Sequence, residues 1–212
     1  VLLKARQGRA GASVKCATAC GAKAIYAQRI VLAVPPRLVA NAISFFPKLK
    51  PEQTQAMCDI RTWMAGQSKF TAVYSKPFWR NHGLSGDRVS HIGPLSEIHD
   101  ASPENESRGA LFGFIGWPAQ QRQALGNELI AQALSQLGQM FGPEAAHPLQ
   151  VSLQDWAADP LTATVADLEQ KAQPQSSSVT ELDYLWQGRI MFASAETAEK
   201  AFNDLIEYEV NH

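Results

Sequence analysis

The sequence predicts an α+β fold. Three observations predict it: two-residue and helical hydrophobic periods both occur, they follow one another without regular βαβ alternation, and the stretch 81–107 breaks into short pieces at Gly, Pro, Asp and Ser. At 212 residues, 45% hydrophobic and 18% charged, the chain can bury a substantial core as one large domain or two small ones.

Val14 to Ala19 alternates, with Val14, Cys16 and Thr18 on one face. Gly21 signals a turn, and Ala24 to Val34 reads as a second strand ending in the block Ile30-Val31-Leu32-Ala33-Val34, so a β-hairpin is expected. Pro35-Pro36 stops it, since neither proline offers an N–H to a ladder. Pro51 opens a short helix to about Met57 from a favourable first position. Gly66 to Arg80 is a strand broken at Pro77, followed by the aromatic corner Phe78-Trp79. Ala110 to Trp117 is strongly apolar and predicts a central strand.

From Pro118, Leu125, Leu129, Ala133, Leu137 and Phe141 recur at helical spacing, and Gly142-Pro143 terminates the helix. Leu149 to Trp156 is expected as a strand with Val151 and Leu153 on one face. A polar, proline-punctuated stretch follows to Ser178, then a short strand over Gly188 to Ala193 and a last helix reaching about Tyr208.

The net charge of −1 gives no general attraction to nucleic acid or to an anionic membrane. No run approaches the ~18 apolar residues of a membrane span, and Val1-Leu2-Leu3 followed by Lys4 and Arg6 is no signal peptide. The expected location is the cytoplasm. Three cysteines make no disulfide framework, and five histidines without HxxxH or HExxH spacing argue against a metal site. The chain has no G-x-G-x-x-G, Walker A or G-x-S-x-G motif. Periodicity alone puts Lys69, with Gln67 and Thr71, on the solvent face of a half-exposed strand.

Several blocks nevertheless stand in a recognisable order: Ile30 to Pro36, then Ile43 and Phe46-Pro47, then Lys69, Tyr74 and Pro77-Phe78-Trp79-Arg80, then Gln154-Asp155-Trp156, then Phe192-Ala193-Ser194-Ala195-Glu196-Thr197-Ala198. Together they resemble the C-terminal half of the flavin-containing amine oxidases of the monoamine oxidase type. The resemblance implies a mixed, largely antiparallel sheet backed by helices over 37–185, the substrate-binding domain. Residues 1–36 and 186–212 would then be remnants of the FAD-binding domain.

It also implies a chemistry: FAD, held non-covalently, oxidises a C–N bond of a small-molecule amine, and oxygen reoxidises it. Lys69 matches the lysine that holds a water near the reactive flavin nitrogen and is the implied catalytic residue. Trp156 matches a tryptophan beside the flavin ring. Glu196, Ser194, Val14 and Pro35 are the further implied cofactor contacts, and Tyr74 and Asp204 the implied substrate contacts.

Departures accompany these matches. Ser194 stands where the family has a glycine, Asp204 where it has an aromatic of the amine cage, and Thr162 to Ala166 offers no cysteine for covalent flavin. Lacking the dinucleotide-binding half, the chain is expected to be inactive alone. The alternative is a non-catalytic binding or interaction domain descended from the oxidase fold. A nucleic-acid or membrane partner is not expected, and a homodimer is left open.

Overall fold

The computed structural model describes residues 2–7, 12–18, 21–168, 182 and 185–197. They fall into two compact units, Val1–Met64 with Leu161–His212, and Ala65–Pro160. The family resemblance implies a division near residues 36 and 186.

The first unit opens with β1 (Leu2–Gln7), β2 (Ala12–Thr18) and β3 (Gly21–Ala27). β2 and β3 form the expected antiparallel hairpin, with Thr18 paired to Gly21 and Val14 to Ile25. The strand foreseen over 24–34 is broken at Gln28-Arg29, and β4 (Ile30–Leu32) stands apart because its ladder partner is not in the hairpin. In the block Ile30 to Val34 only Leu32 is buried, while Val31, Ala33 and Val34 are exposed. α1 (Pro36–Ala42) starts on its proline, β5 (Ser44–Phe46) adds parallel to β1, and α2 (Pro51–Asp59) follows. At the start of α2 the Lys50 N–H donates to Gln53 Oε1, which satisfies one of the free amides of a helix end.

The second unit is a five-stranded antiparallel sheet, in the order 150–155, 68–74, 109–115, 95–100 and 88–89, covered on one face by helices. Its elements are β6 (Ser68–Tyr74), α3 (Phe78–Asn81), β7 (Arg88–Val89), β8 (Leu95–Asp100), β9 (Gly109–Ile115), α4 (Ala119–Leu125), α5 (Glu128–Phe141) and β10 (Gln150–Asp155). β9 lies at the centre of the sheet, as its apolar sequence suggested. The single helix expected from Pro118 is two, because Gly126 has φ 52° and redirects the chain before α5. Gly142, at φ 100°, closes α5 as expected.

β6 and β9 show strict alternation of burial. Phe70, Ala72 and Tyr74 of β6 and Leu111 and Ile115 of β9 face the core, where Leu129, Ala133, Leu137 and Phe141 of α5 meet them. The polar Gln136 is buried in the same layer and satisfied: its Oε1 accepts the Leu95 N–H and its Nε2 donates to the carbonyls of Ile92 and Leu95.

The chain then returns to the first unit through α6 (Val165–Leu168) and β11 (Ile190–Phe192). β11 pairs parallel with β4, Ile190 to Ile30 and Phe192 to Leu32. Leu32, Val39, Met57, Ile60, Leu185 and Ile190 form this unit's core. Arg37 is buried and ion-paired with Asp167, and its Nε donates to the Cys58 carbonyl at 2.7 Å. Among the described residues no helix is long and apolar enough to cross a membrane.

Candidate active site

The face of the five-stranded sheet turned away from its core carries Lys69. The antiparallel register sets Lys69 opposite Gln154 on one side and Phe114 on the other, and pairs share a face. The neighbouring pairs add Thr71 with Ser152 and Phe112, and Phe112 in turn faces His99 on β8. Lys69 Nζ lies 3.8 Å from the centroid of the Phe112 ring, a cation–π contact. The expectation of a half-exposed lysine on a strand face therefore holds, but its ammonium sits on an aromatic ring.

Trp156 follows β10 directly, and its N–H donates to the Gln67 carbonyl at 3.1 Å, next to the start of β6. The strand ends that bear Lys69 and Trp156 thus run side by side. Asp155 turns the chain here, its Oδ1 accepting the Ala157 N–H. Asp155 is itself held by Arg122, which is buried on α4. Sequence reasoning quoted Asp155 only as part of a motif and missed Arg122, whose partners lie on distant segments.

Tyr74 needs a correction. It lies on β6 five residues after Lys69, so the two-residue period turns its side chain to the opposite face. The ring is 4% exposed, packs edge-on to Phe78 and Trp79, and its hydroxyl donates to the Ala145 carbonyl at 2.8 Å. Burial pushes the hydroxyl's pKa well up. Tyr74 is a core residue of the helix-covered layer and not an amine contact beside Lys69.

In the first unit, Pro35 follows β4 and Ser194 follows β11, at the carboxyl ends of two parallel strands. The Ala193 N–H donates to the Leu32 carbonyl at 3.0 Å and keeps the two ends together. Glu196 Oε1 accepts the Trp63 N–H at 3.0 Å. The preceding Thr62 N–H donates to Asp167, the partner of Arg37, so the turn that holds Glu196 is itself anchored. Val14 lies in the other sheet, on β2, paired with Ala5 and Ile25. Asp204 lies outside the described residues.

Comparison with known proteins places this geometry in a family. The sequence profile described as flavin containing amine oxidoreductase matches residues 2–206. The chain belongs to that family. A putrescine oxidase of Kocuria rosea is 32% identical over 147 residues, which is 65% of this chain and 29% of the relative. A solved engineered double mutant of putrescine oxidase superposes with a TM-score of 0.71 at 25% identity, over 95% of this chain and 44% of that one. A cyclohexylamine oxidase of Brevibacterium oxydans shares the fold, with a TM-score of 0.70 at 22% identity over 100% of this chain and 49% of that one. The chain thus spans under half the length of the solved relatives and aligns to under a third of the curated one.

The family implies a flavin, and the first unit contains atoms that suit one. Ser194 Oγ and Thr62 Oγ1 are buried without a hydrogen-bond partner among the described residues. Buried polar atoms are seldom left so, and the carboxyl ends of parallel strands are where such sheets bind ligands. Trp186 Nε1, inside the apolar core, also has no partner among the described residues. Ser194, Thr62 and the anchored Glu196 fit a polar cofactor.

Proposed function

We propose that the chain supplies the substrate-binding portion, and part of the cofactor-binding portion, of an FAD-dependent oxidase of small-molecule amines. The observation that carries this reading is the setting of Lys69, within the family's order of motifs. Its ammonium lies on the open face of the sheet against Phe112 and has no carboxylate partner among the described residues.

Bound FAD would supply the hydride acceptor for oxidation of the amine's C–N bond and the route of its electrons to oxygen. Lys69 Nζ would hold a water and present a positive charge where negative charge develops, an electrostatic contribution of the oxyanion-hole kind. Within the second unit, Trp156, next to the Lys69 strand, would wall the flavin ring. Within the first unit, Ser194 Oγ and the Glu196 carboxylate would hold a polar part of the cofactor at the ends of β4 and β11, with Pro35, after β4, and Val14 as the further contacts that the resemblance implies. Asp204 is the remaining substrate contact.

Lys69→Met in the flavin-loaded protein is expected to slow flavin reduction by an amine at least tenfold, followed anaerobically by flavin absorbance. An unchanged rate would remove Lys69 from the mechanism. A second reading, a non-catalytic binding domain of the same descent, is favoured by Ser194 in place of the family's glycine. Failure of the protein to acquire flavin even when the remaining part of the family's fold is supplied would decide for it.

A further inference from the structure

We infer that Phe112 is the positioning residue for the Lys69 ammonium, holding it by its ring face so that its charge is not neutralised by a counter-ion. This rests on the reading of Lys69 given above. The direct register partner of Lys69 on β9 is Phe114, yet Nζ is 5.9 Å from that ring and 3.8 Å from Phe112, the partner of Thr71. The side chain therefore leans along the sheet to one ring in preference to its nearest neighbour.

That ring is braced on both sides. Phe114 meets Phe112 edge-on at 6.1 Å and 88°, and His99 lies against it at 5.2 Å and 34°. His99 is held in turn, with Nδ1 3.2 Å from Asp87 Oδ1 and Nε2 3.7 Å from Glu97 Oε2. A lysine ammonium is a compact charge on a flexible four-carbon stem and needs something to fix it. A carboxylate would fix it, but would occupy a donor and neutralise the charge. A ring face attracts the cation through its quadrupole and adds no opposing charge. Phe112 meets both demands on a group that has to hold a water and act as a charge.

Two measurements test this. In the 212-residue chain, lysines reductively dimethylated with 13C keep their charge. The Lys69 methyl resonance, assigned by its loss in Lys69→Met, should be shifted upfield by the ring current, lose that shift in Phe112→Leu and retain it in Phe112→Tyr. In the flavin-loaded protein, Phe112→Leu should lower the limiting rate of flavin reduction roughly 3- to 30-fold, the range of one cation–π contact. Half-saturation by amine should be unchanged, and Phe112→Tyr should recover most of the rate.

The double variant Lys69→Met/Phe112→Leu should be no slower than Lys69→Met. An unshifted Lys69 resonance, or an undiminished effect of Phe112→Leu in the Lys69→Met background, overturns the inference. A slow Lys69→Met beside a normal Phe112→Leu overturns it alone. A normal Lys69→Met overturns the functional reading, and the catalytic consequence of Phe112 with it.

Discussion

Arg122 holds Asp155 through two parallel hydrogen bonds, Nε to Oδ2 at 2.8 Å and Nη2 to Oδ1 at 2.7 Å. The same guanidinium donates to the carbonyls of Trp117 at 2.6 Å and Gly66 at 3.0 Å. One buried side chain thus ties together the approach to β6, the exit of β9 and the end of β10, the segments that carry Lys69, Phe112 and Trp156. Planar bidentate geometry with additional hydrogen bonds is the condition under which a buried ion pair offsets its desolvation.

Removing Arg122 leaves the Asp155 carboxylate largely buried without its counter-charge. Arg122→Met is therefore expected to destabilise the second unit by about 3–5 kcal/mol, and Arg122→Lys by less, since it keeps the charge but loses the fork. Urea unfolding followed by tryptophan fluorescence measures both. Equal losses for Met and Lys would show that the charge contributes nothing.

Tyr74 separates a core role from a substrate role. Tyr74→Phe leaves the Ala145 carbonyl without its donor, so it should cost about 1–3 kcal/mol of stability. In the flavin-loaded protein the amine concentration for half-saturation should not change, because Tyr74 faces away from Lys69. A change in that concentration without a loss of stability would return Tyr74 to the amine site.

Asp100 sets an acid limit. Burial alone would raise its pKa, but hydrogen bonds from Ser102, Trp79 and Arg80 outweigh this and hold the carboxyl below its usual range. With the folded pKa below the unfolded value of about 3.9, the stabilisation is full above pH ~4 and is lost as pH falls through the folded pKa. Asp100→Asn should be less stable than the parent at pH 7, and the two urea midpoints should converge below pH ~4. A constant gap down to pH 3 would assign the difference to packing instead.

Elements whose signal is local were legible. The alternation of β6, the apolar β9, the stripe of α5 and the Gly142 stop all follow from short-range periods and backbone preference. What escaped depends on register or distant pairing. The parallel pairing of β4 with β11 joins opposite ends of the chain, so the run Ala24 to Val34 reads as one strand until its partner is known. Arg37 reads as solvated because nothing nearby in sequence announces Asp167. The motif order marks Lys69, but that its ammonium rests on Phe112 follows only from the β6–β9 register and the lean of one side chain.

The β8–β9 contact that supports Phe112 can be probed without touching the ring. Gly113 neighbours Phe112 and faces the core, where an added Cβ would lie 2.6 Å from the Glu97 carbonyl oxygen, 3.1 Å from Leu95 Cδ2 and 3.3 Å from Ile98 Cγ1. A backbone oxygen cannot swing aside as a side chain can, so β8 itself must move. Gly113→Ala is expected to cost about 1–3 kcal/mol as overpacking. Gly66 is the control: it keeps its backbone bond to Arg122, has an ordinary φ and has no atom within 4 Å of an added Cβ. Gly66→Ala should be neutral or stabilise by up to ~1 kcal/mol through the unfolded chain. If β8 shifts, His99 moves with it, so Gly113→Ala should also reduce the ring-current shift of Lys69, while Gly66→Ala leaves it in place. A destabilised Gly113→Ala with an unmoved Lys69 resonance would show that Phe112 is held by β9 alone.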